Sequence, residues 1–193
     1  MKANVLSSVA AAIALAAAVS QTAYAANDGT INFSGQVFET TCTVEGVAPG
    51  TGGALKDVNL SGVSAARLAT AGNRANLVGF TIRVGGTGQP GCTNGRTALI
   101  AFDPTSPAID VATGRLNIDG YDDPADTTNA KNVQVEVVNR DGSPIHLYDG
   151  KSEGVVIADN QALIPLGAQY YATGGATEGL VKTRVGFTVV YAE

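Results

Sequence analysis

Asp28-Gly-Thr-Ile-Asn-Phe-Ser-Gly-Gln-Val37 is written in alternation. Ile31, Phe33, Gly35 and Val37 fall on one side of an extended chain, and Asn32, Ser34 and Gln36 fall on the other. A period of two marks a strand with one buried face. Gly35 interrupts the apolar row, and a glycine inside a strand often marks the close approach of another backbone. The stretch stands near the front of the chain, where a free end can leave its own domain. It sets the question of whose core the apolar row fills.

What precedes it reads as an export signal. Lys2 supplies a positive start, residues 5–19 form an apolar run built mostly of alanine, and Ala23-Tyr24-Ala25 is an A-x-A cleavage site. The run is short and alanine-rich for a membrane anchor, so residues 1–25 are expected to be removed and the mature chain to begin at Ala26. No later stretch is apolar enough to cross a bilayer as a helix. The remaining length suits one domain with a real core.

Twelve Lys and Arg against 17 Asp and Glu give a net charge of −5, which becomes −6 once Lys2 leaves. An acidic chain without clustered Lys and Arg argues against nucleic acid or an anionic membrane as partner. Tryptophan is absent and glycine is abundant, at 24 residues. With plentiful Val and Thr, that balance suits β-structure with many turns. Cys42 and Cys92 are the only cysteines. In the oxidising compartment an export signal implies, they are expected to form one disulfide. They are too far apart for a C-x-x-C redox pair and too few for a cysteine zinc site. Closing a loop of this length stabilises by about 4 kcal/mol on the chain-entropy model.

Further along, Thr41 to Val44 continues extended and residues 47–53 are a loop by composition. Val58 and Leu60 suggest a short strand, and residues 64–69 suggest a turn or two of helix. Residues 77–84 read as a central strand, with Val78, Phe80, Ile82 and Val84 on one side. A glycine-rich loop follows over residues 85–91, then strands at 97–102 and at Val133, Val135 and Val137. Ile145, Leu147 and residues 155–157 suggest short strands, and residues 163–171 and 182–191 two longer ones. Many short strands, close turn signals and almost no helix predict an all-β, antiparallel sandwich in one domain.

Signals for catalysis are poor. His146 is the single histidine and stands beside a turn, so it reads as a satisfied surface or half-buried residue. Residues 86–91 match G-x-G-x-x-G, but a cysteine and a strand follow where a phosphate site needs a helix. Asp119, Asp122, Asp123 and Asp126 lack the order of a calcium loop and read as a solvated acidic loop. No carboxylate pair stands out as an acid–base couple. The chain is expected to be neither an enzyme nor a cofactor binder.

At the other end, Val181, Thr183, Val185, Phe187, Val189 and Tyr191 share one face, with Lys182, Arg184, Gly186 and Thr188 opposite. No further strand follows to close the sheet beside them. Two regular strands thus stand at the two ends of the mature chain.

Together these features resemble the pilin subunits of chaperone–usher fimbriae, near the type 1 major subunit. The likeness runs over essentially the whole mature chain. It rests on Gly29-Thr-Ile-Asn-Phe-Ser-Gly-Gln-Val37 ahead of Cys42, Leu77-Val-Gly-Phe-Thr-Ile-Arg-Val84 ahead of Cys92, and the closing segments Ile164 to Gly175 and Gly186 to Tyr191. Gly179 stands twelve residues before Tyr191, as in the family, although Tyr191 is third from the end and not second. The resemblance implies an incomplete immunoglobulin-like β-sandwich lacking its final strand, over residues 41–193, with an N-terminal donor-strand extension over residues 26–40. Ile31, Phe33, Gly35 and Val37 would be the donor positions. Gly179, Val185, Phe187, Val189 and Tyr191 would belong to the acceptor groove and chaperone-binding strand.

The implied function is a structural fimbrial subunit that polymerises by donor-strand exchange and supports cell adhesion. Its implied partners are neighbouring pilin subunits, a periplasmic chaperone and an outer-membrane usher. It would pass through the periplasm to the cell surface. A minor or adaptor pilin, or a tip adhesin binding host carbohydrate, is the alternative. Adhesins of this system usually add a lectin domain and lack the extension.

Overall fold

The computed structural model describes residues 42–192. The signal, the front stretch with Ile31, Phe33, Gly35 and Val37, and Glu193 lie outside the described residues. Within them, seven strands form two antiparallel sheets. β1 (Arg74–Gly85), β6 (Gln161–Ala172), β4 (Val133–Asn139) and β3 (Leu116–Asn117) lie side by side in that order. β5 (Val155–Val156), β2 (Thr97–Phe102) and β7 (Phe187–Ala192) make the second sheet, with β2 in the middle.

Alternation explains which faces meet. Ala162, Ile164, Leu166, Ala168, Tyr170 and Ala172 are all buried, so every second residue of β6 points into the sandwich. Val133, Val135 and Val137 of β4 do the same. β1 changes parity partway: its register against β6 slips between Ala75 and Val78, and Asn76 takes φ 54°. An extra residue in one strand is a β-bulge. Here it lets Ala75 and Ile82, an odd and an even position, both point inward.

Cys42 and Cys92 form the expected disulfide, with an S–S distance of 2.08 Å. Beside it, Gly85 N–H donates to Thr43 C=O at 2.7 Å and Val44 bridges Val84, so the start of the described chain is stapled to the end of β1. The helical turn materialises as a 3-10 turn, Ala65–Leu68, with Leu68 buried.

Several expectations need correction. The strand read over 77–84 begins earlier, at Arg74, because the bulge disguises its first residues. Ile145 and Leu147 are buried but lie in no strand: Ile145 N–H donates to Val137 C=O at 2.9 Å beside an isolated bridge at Pro144, and Leu147 sits in a turn. β3 was not anticipated, since two residues give no periodicity to read. Val58 and Leu60 belong to no strand among the described residues. Of the strand read over 182–191, only the part from Phe187 onward is laddered; the residues before it join no ladder, although Thr183 Oγ1 donates to Asn117 C=O of β3 at 2.8 Å.

Candidate functional site

Both of those unpaired segments line a groove of about 1050 Å³. Residues 54–60 form its first wall and residues 181–187 its second. Phe80, Ile82, Phe102, Val135 and Leu166 contribute to its apolar floor. Core side chains of both sheets are therefore open to the groove.

The second wall is built by alternation. Val181, Thr183, Val185 and Phe187 are half-buried, while Lys182, Arg184, Gly186 and Thr188 are exposed. The same face continues through Val189 and Tyr191, which pack against the core from β7. Its backbone is spent on one side only. Asp119 N–H donates to Lys182 C=O at 2.8 Å, and Asp103 N–H to Gly186 C=O at 2.9 Å. β7 pairs with β2 alone. Hydrogen-bonding groups of an antiparallel strand point to opposite sides at successive residues. Those of Phe187, Val189 and Tyr191 thus point away from β2, to an edge that no described strand occupies, and no described strand pairs with Val181, Thr183 or Val185.

Gly179 sits just before this wall and does not line the groove. At φ 150°, any side chain there would run into the Ala130 backbone nitrogen. Leu180 is then clamped to the neighbouring loop: its N–H donates to Thr128 C=O at 3.0 Å and its C=O accepts from Ala130 N–H at 2.9 Å. Gly179 lets two backbones meet where the wall begins.

The first wall is looser. Ala54, Val58 and Leu60 are half-buried, whereas Leu55 is 81% exposed. Among the described residues, no backbone–backbone hydrogen bond holds residues 54–60. Tyr170 hydroxyl donates to Leu60 C=O at 2.8 Å, and Lys56 Nζ stands 3.5 Å from Glu45 Oε2. Sequence periodicity missed this wall as half of a site, because three half-buried residues in seven carry no strong pattern.

Residues that might have carried chemistry lie elsewhere. His146 Nδ1 is 2.7 Å from Asp149 Oδ1 in a turn, and neither residue lines the groove. Asp126 accepts from the backbone of Thr128 and Asn129, and Asn129's side chain also donates to it; these bonds hold its carboxyl below the usual range. Among the described residues, no group of three or more His, Cys, Asp or Glu is placed to hold a metal ion. What the groove offers is an apolar trough between two incompletely bonded backbones, which is a template for an added strand.

No family model matches the chain. It is 34% identical over 184 residues to the F17 fimbrial protein of Escherichia coli, covering 93% of this chain and 96% of that protein. It is 36% identical over 174 residues to the major fimbrial subunit SMF-1 of Stenotrophomonas maltophilia, covering 86% and 94%. The crystal structure of the P pilus rod subunit PapA matches with a TM-score of 0.53 at 17% identity, over 79% of this chain and 99% of that one. That likeness establishes the fold, an immunoglobulin-like sandwich short of its final strand.

Proposed function

This chain belongs to the family of type-1 and F17 fimbrial subunits, and from that premise we propose that it is a structural pilin polymerising by strand donation. The observation that carries the reading is the groove, whose apolar floor and unspent wall edges fit an alternating strand. Residues 26–40 are the donor extension, and residues 41–193 the pilin domain that accepts the next subunit's extension.

Ile31, Phe33 and Val37 would enter a neighbour's groove, with Gly35 where the trough is too shallow for a side chain. At about 1.5–3 kcal/mol per large apolar side chain, the three together supply roughly 5–9 kcal/mol before any backbone bonds form. Val185, Phe187, Val189 and Tyr191 form the receiving strand face. Each subunit gives one surface and receives on another, so the contact is heterologous and generates an open filament.

An open edge of this length invites aggregation. A periplasmic chaperone that fills the groove until an outer-membrane usher exchanges it for the next subunit answers that hazard. The chain would thus leave through the periplasm and end in a fimbrium on the cell surface. Catalysis and cofactors have no part in this reading.

Deletion of residues 28–37 tests it. The expected product is captured by chaperone but adds to no filament. Filaments of normal length from the deleted chain, seen by electron microscopy, would refute strand donation.

A further inference from the structure

We propose that Tyr170 and Asn76 are positioning residues that hold the first wall of the groove open for an incoming strand; this rests on the strand-donation reading. Two irregularities, far apart in sequence, converge on three consecutive carbonyls. The inward row of β6 is Ala162, Ile164, Leu166, Ala168, Tyr170 and Ala172, and its single hydroxyl donates to Leu60 C=O at 2.8 Å. A buried hydroxyl in an apolar row costs stability unless it is bonded. Burial raises the Tyr170 phenol above its usual range, so it stays a donor.

Asn76 is the second irregularity. It occupies the β1 bulge at φ 54°, and its Nδ2 donates to Ser61 C=O at 2.7 Å and Gly62 C=O at 3.0 Å. A bulge re-aims a side chain, and here it aims an amide at the root of the wall. The remaining ties of residues 54–63 are weak. Val58, Leu60 and Val63 are only partly buried against the core, and the Lys56–Glu45 pair is a partly exposed ion pair of little energetic weight. The three hydrogen bonds therefore fix where the wall ends. A wall already held in place loses less entropy when a strand arrives.

The test uses the full mature chain, kept dilute, and a fluorescent synthetic peptide of residues 28–37. With the wild-type chain, peptide binding should slow hydrogen exchange at amides of residues 54–60 and of residues 181–185. Tyr170→Phe keeps the ring and removes only the hydroxyl. It should weaken peptide binding about three- to tenfold, the range for one hydrogen bond. It should also abolish the peptide-induced protection at 54–60 while sparing that at 181–185. Asn76→Gly keeps the backbone conformation, removes the amide, and should give the same one-sided loss. A merely structural role would lower the denaturation midpoint and weaken both walls together. Unchanged affinity in both variants, or equal loss of protection at the two walls, would overturn the positioning role with the groove intact. No peptide uptake by the wild-type chain would overturn the groove reading and this inference with it.

Discussion

Glu136 is a carboxylate held inside a protein by two arginines. It is 1% exposed, on the face of β4 turned away from the sandwich interior. Arg74 donates to both its oxygens at 2.6 and 3.0 Å, Arg115 Nε at 3.1 Å and Gln169 Nε2 at 2.9 Å. The Arg115 guanidinium lies 3.5 Å from the centre of the Tyr171 ring, which helps to seal the cluster. Burial pushes the Glu136 carboxyl up, but the hydrogen bonds from Arg74, Arg115 and Gln169 outweigh it and hold it below the usual range. A carboxylate depressed on folding contributes stability above its unfolded value of about 4.3, and that stability is lost as pH falls through the folded value. Glu136→Gln should therefore cost about 1.5–3 kcal/mol at pH 7 and flatten the fall in stability on acidification; denaturation curves at several pH values check both. Gly179→Ala should cost about 1–3 kcal/mol in the same assay, for a strained backbone angle and a blocked approach to Ala130. Little of this cluster was legible in the sequence. The alternation of Val133, Val135 and Val137 leaves Gln134 and Glu136 on the opposite face of β4 and goes no further. The residues that bury them come from elsewhere, Arg74 being 62 positions away.

At the level of elements, periodicity reported which side chains face inward and not which strands have partners. The alternation of Val181 to Tyr191 was read correctly, since the same residues are half-buried in the fold. Their ladder starts only at Phe187, because residues 181–186 find isolated carbonyl contacts with Asp119 and Asp103 where a neighbouring strand would be needed. The first wall was less legible still, as its form depends on Tyr170, 110 residues further on. A charge at the wall separates the roles of edge and core. Val185→Asp puts a carboxylate into the trough at a half-buried site. Its denaturation midpoint should stay near wild type, while binding of the 28–37 peptide should fall tenfold or more, about the 1.5 kcal/mol or above expected for a lost valine contact. Peptide binding equal to wild type would remove Val185 from the receiving face.

For the whole molecule, the two-sheet architecture followed from strand count and turn spacing, and the disulfide from cysteine number and export. Those are properties of composition and order, which survive ignorance of long-range contacts. Cys42→Ser should lower stability by about 4 kcal/mol, as expected for opening a loop closed across 50 residues. Equal guanidinium midpoints for the oxidised wild type and the variant would contradict that. The same bond has a mechanical consequence. In the strand-donation proposal, the pull between subunits would run along residues 26–40 and reach Cys42 next. It passes through sulfur to Cys92, in the connection between β1 and β2. A tug on one end of the domain is thus shared at once with the middle of the chain by a covalent route. The short pairing of Thr43 and Val44 with the end of β1 is shielded from being peeled open one hydrogen bond at a time.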